Sequence, residues 1–552
     1  MDVVGRHRGL VLRTVLISSL TLSSRLVGFA REALAASMFG DRSPVNDAFV
    51  TAWRVPNLFR SLLGEGAMST SMQTAITKAD AEGGEDAGRS LFLALVRVVG
   101  GILLALCVAV MLAVHFMPDR MPVFGLSWLG AHPGPVRELT VRMMPFVVLV
   151  CLSAVCSGAL NVRGHFLSTS LAPFVLNVTW IGSLALVGAR FGWSRGPGVD
   201  DAAEYARQLD MARWLAALVL IGGAVMLAVQ VPALVSRGFL GKGSAAGAGA
   251  PTVRPTREAF HVIAATAPLA LGAAVYQVNV MVDGFMALSL LPEGGATVLS
   301  CATRLQQFPM SLVSIAATSA VFPALTALGH GRAYAGVRSL HDRTQQAVAF
   351  VAIPASVGLL VFAEPVVSVC FQHGAFGPDG VARASAGLRC LTLAIVPAGA
   401  AGLIARTYYA LGDFKTPVKI SVAMLLSNIA LNTLFVRGFG MDVEGLALAT
   451  AATAWGNMIL LAPGLRRRLG LPGSEPGFLA RILKMAVAAT ASTLAAKLLY
   501  TALLGTKEVS ASALLASIGA AVGLYALLSQ LLRVPEWSHI VGRVRARFRA
   551  QR

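Results

Sequence analysis

Apolar runs of about 20 residues or more recur along this chain, and they restrict its fold more than any other feature. An α-helix needs a run of about this length to cross the hydrocarbon core of a bilayer. Only 13% of the 552 residues are charged and 56% are hydrophobic, whereas a soluble domain carries about 25% charged residues. A membrane barrel would instead show segments of about 10 residues with alternating polarity. The sequence therefore predicts an all-α, polytopic membrane protein.

We predict about 14 transmembrane helices. They lie near residues 10–39, 45–77, 91–115, 138–161, 170–190, 211–235, 258–290, 296–328, 344–363, 384–411, 417–436, 444–464, 478–502 and 510–532. Arg13 and Arg25 interrupt the first run, which therefore predicts a spanning helix and not a removable signal. With the N-terminus in the cytoplasm, the cytoplasmic loops and tails hold most of the loop Lys and Arg, as the positive-inside rule requires. We therefore expect both termini in the cytoplasm.

The two halves of the chain resemble each other. The segments ALNVRGHFLSTSLAPFVLN and YYALGDFKTPVKISVAMLLSN place Gly164 and Gly412 248 positions apart, and nearly the same offset relates Arg54 to Arg304. Six spans in each half predict two six-helix lobes related by a parallel pseudo-two-fold repeat, with substrate held between them. The predicted divisions are an N-terminal lobe at 1–235, a cytoplasmic linker at 236–257, a C-terminal lobe at 258–466, and two extra C-terminal helices with a basic cytoplasmic tail at 467–552.

Ionisable residues concentrate in the first two spans and recur in the eighth. A charged side chain at bilayer depth costs roughly 2.5–3.5 kcal/mol on insertion scales, so several together require a water-filled cavity or close partners. Arginine dominates, and its planar fork of donors suits phosphate oxygens. We therefore expect an anionic substrate. The expected substrate-binding residues are Arg25, Arg31, Asp47, Arg54, Asn57, Arg60, Glu65 and Arg304.

A structural role for these arginines is the alternative. They would then pair with acids of the same spans and lock neighbouring helices together. The three acids are Glu32, Asp47 and Glu65. The four arginines of the first two spans, with Arg304, outnumber these acids. Arg25 and Arg60 also lie close enough to helix ends to extend toward the membrane surface.

A second polar set lies mainly in the C-terminal half. It comprises Asp283 in the seventh span, Asn428 and Asn432 in the eleventh, and Thr450 and Thr453 in the twelfth. A carboxylate with neutral oxygens suits a monovalent cation, which gives a candidate sodium site at Asp283, Asn428, Asn432 and Thr450. The alternative is interhelical hydrogen bonding, which is common for Asn and Thr in membranes. No P-loop is present, so we expect no ATP hydrolysis and no cofactor other than Na⁺.

The formal net charge of +19 raises the question of nucleic-acid binding. The basic residues lie instead in short loops between apolar runs, so we expect no nucleic-acid partner. The basic tail sets topology or contacts anionic membrane lipids. The six cysteines include no CxxC pair and lie mostly within apolar runs, which is typical of small core residues.

The charged segments resemble those of the MurJ (MviN) family of lipid II flippases, in the multidrug/oligosaccharidyl-lipid/polysaccharide (MOP) exporter superfamily. The matching segments are SRLVGFAREALAASMFG, DAFVTAWRVPNLFRSLLGEGAMS, RLQQFP, FQHGAF and GDFKTPVKIS. Their order and the 14-span layout cover essentially the whole chain. Glu32 stands where many members have Asp, Ser61 where many have a second basic residue, and GEGAMS replaces AEGAFS.

The resemblance implies a transporter of the bacterial inner membrane, not an enzyme. Its cargo would be lipid II, an undecaprenyl pyrophosphate carrying a disaccharide pentapeptide, moved outward by alternating access for cell-wall synthesis. The family's cavity arginines match Arg25, Arg31, Arg60 and Arg304, its acid in DAF matches Asp47, and the basic residue before PN matches Arg54. The sodium site of some members matches Asp283, Asn428 and Asn432.

We expect the chain to act as a monomer. One alternative function is export of another lipid-linked oligosaccharide, or drug/cation antiport, within the same superfamily. Another is an enzyme acting on polyprenyl phosphates, which would need acidic metal-binding or general-base clusters near the membrane face.

Overall fold

The computed structural model describes residues 2–63, 67–118, 122–123, 126–127, 133–193, 202–241, 255–318, 321–470, 477–504, 509–538 and 542. Almost all of them are helical, and one small hairpin pairs β1 (Pro122–Val123) antiparallel to β2 (Leu126–Ser127). The chain divides into two compact units, Met1–Ser289 and Leu290–Arg552. The predicted all-α membrane fold is confirmed.

Helices α1 to α9 build the first unit. They are α1 (Asp2–Phe39), α2 (Pro44–Leu63), α3 (Ala67–Phe116), α4 (Pro133–Met143), α5 (Phe146–Val162), α6 (Leu167–Phe191), α7 (Ala202–Ala228), α8 (Val231–Ser236) and α9 (Pro255–Leu290). Gly40 ends α1 because its φ of +88° is left-handed. Pro44 then starts α2, where its missing N–H costs nothing.

Helices α10 to α19 build the second unit. They are α10 (Gly295–Thr318), α11 (Phe322–His330), α12 (Tyr334–Val361), α13 (Ala363–Phe371), α14 (Pro378–Thr392), α15 (Ile395–Ala410), α16 (Lys415–Thr433), α17 (Val443–Arg468), α18 (Phe478–Leu504) and α19 (Ala511–Leu531). A single π-helical turn at Leu434–Gly438 extends α16.

Each predicted span falls on one helix or on two consecutive helices. The second span falls on α2 and the start of α3, and α3 bends at Gly84 (φ +75°) before the third span. Nine helices of the described chain are long and apolar enough to cross a bilayer, or ten with α14 and α15, which meet at 43°. Helices α1 and α2 are not among them, because charged residues are frequent in both: Arg25, Arg31 and Glu32 lie close together in α1, and Asp47, Arg54 and Arg60 lie in α2.

Corresponding helices pack in the same pattern in the two units. In the first unit, α2 packs against α4, α5 and α7, and α4 also packs against α7. In the second unit, α10 packs against α14, α15 and α17, and α14 also packs against α17. The predicted duplication is therefore visible in the packing. The boundary between the two compact units falls after Ser289 in the chain, because α9 packs with the first unit. The lobe boundaries drawn from the repeat stay a prediction.

The turns that precede α6 and α16 have the same backbone geometry. Gly164 and Gly412 both adopt left-handed φ angles, +70° and +80°. In each turn the next N–H, from His165 or Asp413, donates 2.9 Å to the carbonyl five residues earlier. Glycine suits both positions because other residues are strained at positive φ. The shared sequence offset therefore marks a shared turn.

In each unit, a bidentate ion pair between an arginine and a carboxylate joins corresponding helices. Arg213 of α7 donates to Glu138 of α4 at 2.7 and 2.9 Å. Arg383 of α14 donates to Asp442, immediately before α17, at 2.5 and 2.9 Å. Such pairs fix the orientation of both side chains. The acid lies on the earlier helix in the first unit and beside the later helix in the second.

Each unit has its own buried core. In the first unit, Trp180 packs edge-on against Trp53, with ring centroids 4.6 Å apart. In the second unit, the buried Tyr408 hydroxyl donates 3.1 Å to the Leu461 carbonyl. Four of the six cysteines are buried and two are half-buried, in agreement with the expected packing role.

Candidate functional site

Arg31 on α1 is oriented by three neighbours in the first unit. Its Nη2 lies 2.5 Å from Glu32 Oε1, and its Nη1 donates 3.1 Å to Asn177 Oδ1. Its guanidinium lies 4.3 Å above the ring centre of Trp180. Only 13% of the side chain is exposed, so these contacts fix its direction. The pair with Glu32 was the predicted structural alternative, but it lies within one helix and locks no helices together.

Asn177 connects α6 to the backbone of α1. Its Nδ2 donates 3.1 Å to the Ser24 carbonyl while its Oδ1 accepts from Arg31. Gly28 leaves room for it, because a Cβ there would lie 3.2 Å from Asn177 Nδ2. An amide offers both a donor and an acceptor without a charge. Asn177 therefore orients Arg31 and leaves its positive charge in place, whereas the nearby Arg25 is exposed.

Arg54 extends from α2 to α9. Its Nη1 donates 2.8 Å to the Val280 carbonyl. Asp283, a predicted sodium ligand, lies in the same stretch of α9 and accepts a 3.2 Å hydrogen bond from Asn279 Nδ2. The structure thus brings a predicted anion-binding arginine to the helix that carries a predicted cation ligand.

Three further predicted residues of the first unit, Asp47, Asn57 and Arg60, lie along α2. Asp47 is buried in the first helical turn, where a negative charge is favoured by the helix dipole. Asn57 Oδ1 accepts a 3.1 Å hydrogen bond from Arg60 Nε, so these two predicted residues do meet. Glu65 lies outside the described residues.

Arg304 belongs to the second unit. It is half-buried on α10, and its Nη1 lies 3.4 Å from Gln307 Oε1, one turn further along the helix. The other predicted substrate-binding residues belong to the first unit. Within the first unit, an ion pair joins Arg31 to Glu32 and a hydrogen bond joins Arg60 to Asn57.

Three of the four predicted sodium ligands lie on two helices that pack together, α16 and α17. Asn432 Nδ2 donates 3.0 Å to Asn428 Oδ1, and both side chains are fully buried. The Thr450 hydroxyl donates 3.0 Å to the Leu446 carbonyl. Neutral oxygens suit a hard cation, whereas Asn428 Nδ2, which has no hydrogen-bond partner among the described residues, is a donor and cannot bind one. The side-chain oxygens of Asn428, Asn432 and Thr450 are of the kind that Na⁺ binds, and the sodium site stays a prediction. Its fourth predicted ligand, Asp283, belongs to the first unit.

The family model of "Lipid II flippase MurJ" matches residues 35–540. The chain belongs to the MurJ family. A probable lipid II flippase MurJ of Vibrio cholerae is 29% identical over 82% of this chain and 82% of its own length. A lipid II flippase MurJ of Burkholderia cenocepacia is also 29% identical, over 86% of this chain and 87% of its own length.

Solved structures share the fold. A lipid II flippase MurJ in an inward closed conformation matches with a TM-score of 0.70 and 21% identity, over 94% of this chain and 98% of that one. An inward-facing multidrug MATE transporter of the MOP superfamily matches with a TM-score of 0.62 and 13% identity, over 83% of this chain and 98% of that one. The chain therefore has the MurJ fold, and with it the helix order of a multi-pass transporter.

Two residues that support Arg31 were not predicted from the sequence: Asn177 and Trp180. Asn177 is 146 positions from Arg31, so no local spacing connects the two. Its signal was a lone amide within an apolar span, which is expensive in lipid unless it has a partner.

Proposed function

We propose that this chain is a flippase that moves lipid II from the inner to the outer leaflet of the cytoplasmic membrane for cell-wall synthesis. Membership of the MurJ family supports this function. In this chain the observation that carries the proposal is Arg31, a largely buried guanidinium that α6 orients through the neutral groups of Asn177 and Trp180. A helix lock has no need of such neutral partners, whereas an anion-binding site benefits from an oriented positive charge.

The chemistry of the cargo matches the arginines. A pyrophosphate presents several anionic oxygens, and each guanidinium can donate two parallel hydrogen bonds to them. Under this proposal Arg31, Arg54, Arg60 and Arg304 bind the pyrophosphate and other anionic groups of the headgroup, and the lipid tail stays in the bilayer. Parallel-repeat transporters expose such a site to each side of the membrane in turn. A cationic drug would be repelled by the same arginines.

We further propose that the chain lies in the inner membrane as a monomer with both termini in the cytoplasm. The excess of Lys and Arg in the loops assigned to the cytoplasm supports this orientation. A cysteine introduced near Gly198 should react with an impermeant reagent added from outside, and one near Gly247 should not. The reverse labelling pattern would invert the topology.

Arg304→Ala provides the decisive test of the function. Loss of one contact to a charged group should weaken lipid II binding about ten- to a hundredfold. We expect flipping to be lost while the protein still accumulates in the membrane. Arg304→Lys should restore only part of the binding, because lysine keeps the charge and loses the planar fork.

Arg406→Ala is the matched control, because Arg406 is a half-buried arginine on α15 of the same unit and is not in the predicted site. Lipid II binding should remain near the level of the unaltered protein in this variant. Normal lipid II binding and normal protein level in Arg304→Ala would reject phosphate binding by Arg304. A lowered protein level in Arg304→Ala, with normal binding by the remaining molecules, would favour the structural alternative.

A further inference from the structure

Gly284 of α9 lies directly against the side chain of Arg54. A Cβ placed on Gly284 would lie 2.2 Å from Arg54 Nε, 2.3 Å from Cδ and 2.6 Å from Cζ. Carbon atoms of real side chains do not approach other heavy atoms this closely, because repulsion rises steeply at such distances. Gly284 is itself buried, so the arginine lies across the bare backbone of α9.

The same face of α9 also binds the end of this arginine. The Val280 carbonyl, one helical turn before Gly284, accepts from Arg54 Nη1 at 2.8 Å. Residues four apart lie on one side of a helix. Gly284 and the Val280 carbonyl therefore form one seat: the glycine receives the side-chain stem and the carbonyl receives the guanidinium.

We propose that Gly284 is a positioning residue for Arg54, and that the seat on α9 holds this guanidinium ready for the phosphate oxygens of the cargo. The inference rests on the proposed function, because it assigns Arg54 to anion binding. A carbonyl orients the guanidinium without removing its charge. A side chain at position 284 would meet the middle of the arginine, so moving the guanidinium alone would not relieve the overlap. The whole side chain would leave the seat and lose its bond to Val280.

Gly284→Ala tests this seat with two measurements on the full-length protein. The first is the rate at which phenylglyoxal modifies Arg54, followed by mass spectrometry; it should rise once the guanidinium leaves the Val280 carbonyl. The second is binding of purified lipid II, which should weaken about tenfold for the loss of one charged contact. Gly182→Ala is the control, because nothing lies within 4 Å of a Cβ at that glycine of α6. Neither measurement should change in the control.

The double variant Arg54→Ala/Gly284→Ala separates positioning from general damage. If Gly284 acts through Arg54, the double variant should bind lipid II as weakly as Arg54→Ala alone, and no more weakly. A further loss in the double variant would overturn the inference. So would an unchanged modification rate of Arg54 in Gly284→Ala, or an unchanged lipid II affinity.

The flippase proposal has separate tests. If the Arg304→Ala and Arg31→Ala variants both bind lipid II normally, the proposed function fails. The Arg54 modification rates would still report whether the seat exists, because phenylglyoxal reacts with the guanidinium and not with the lipid. The two failures are therefore distinguishable.

Discussion

Helices α6 and α16 start from the same turn but present different chemistry at the same position. They begin at Leu167 and Lys415, 248 positions apart, which makes Trp180 equivalent to Asn428. Trp180 packs beneath the guanidinium of Arg31. Asn428 instead accepts a hydrogen bond from a second amide one turn along its own helix. Both side chains are buried, so the duplication kept the backbone while the buried group diverged.

The two positions illustrate two ways in which a membrane helix bundle can hold a positive charge: as an arginine of the chain or as a bound ion. In the first unit the cation belongs to the chain itself, and an aromatic face, a neutral amide and the Glu32 carboxylate hold it in place. In the second unit the equivalent position offers an amide oxygen, which the predicted sodium site assigns to an exchangeable Na⁺. A fixed positive charge can attract an anionic cargo continuously, whereas an exchangeable ion can link binding to an ion gradient.

Replacing Trp180 should produce the largest effect. Trp180→Ala removes a buried ring that contacts both Trp53 and Arg31, and such truncations cost about 3–5 kcal/mol of folding free energy. Trp180→Phe keeps an aromatic face and should lose much less. The free energy of unfolding, measured with denaturant in detergent, checks both variants. Equal losses in the two would show that the ring face contributes nothing beneath Arg31.

Replacing Asn428 should have an intermediate effect that depends on sodium. If Na⁺ binds only the folded state, ten times its dissociation constant stabilises the protein by about 1.4 kcal/mol. Asn428→Ala should remove this increment, measured as the difference in unfolding free energy between sodium and potassium buffers. Asn457→Ala, a half-buried amide on α17 outside the predicted set, is the control. Indifference of the unaltered protein to sodium would support hydrogen bonding instead.

The turns before α6 and α16 should lose stability over different pH ranges, which is the smallest of the expected effects. Burial lowers the pKa of His165, and the charge of Arg237 lowers it further. Burial raises the pKa of Asp413, but hydrogen bonds from Thr416 and the charge of Arg468 outweigh burial, so the net pKa is lowered. When the pKa of a group is lower in the folded than in the unfolded state, its contribution to stability is greatest at pH values above the unfolded-state pKa. That contribution is lost as the pH falls. The decline should begin near 6.5 at His165 and near 3.8 at Asp413.

Unfolding midpoints across a pH series measure this contrast. In His165→Asn, the unfolding midpoint should depend less on pH below pH 6.5, and its dependence below pH 3.8 should be unchanged. Asp413→Asn should show the opposite pattern. The same slope change in both variants would mean that the turns do not titrate separately.

The sequence predicted the fold far better than the site. Runs of about 20 apolar residues are local features, so the spans could be placed, and Gly164 and Gly412 exposed the repeat because a left-handed turn restricts the residue type. The supports of the arginines depend on contacts between distant segments. Gly284 matters because the Arg54 side chain of another helix lies against it, and nothing in the sequence around Gly284 indicates that contact. Asn177 stands out as a lone amide in an apolar span, but its partner Arg31 is 146 positions away, so the sequence does not connect the two.

The ion pairs that join α4 to α7 and α14 to α17 occupy different positions in the two halves of the chain. Helices α4 and α14 end at Met143 and Thr392. Aligning those ends places Gly387 opposite Glu138, and Gly134 opposite Arg383. Neither pair therefore has a charged counterpart in the other half. The two units therefore join corresponding helices with ion pairs of opposite polarity at different positions, so the shared packing pattern does not depend on a shared ion pair.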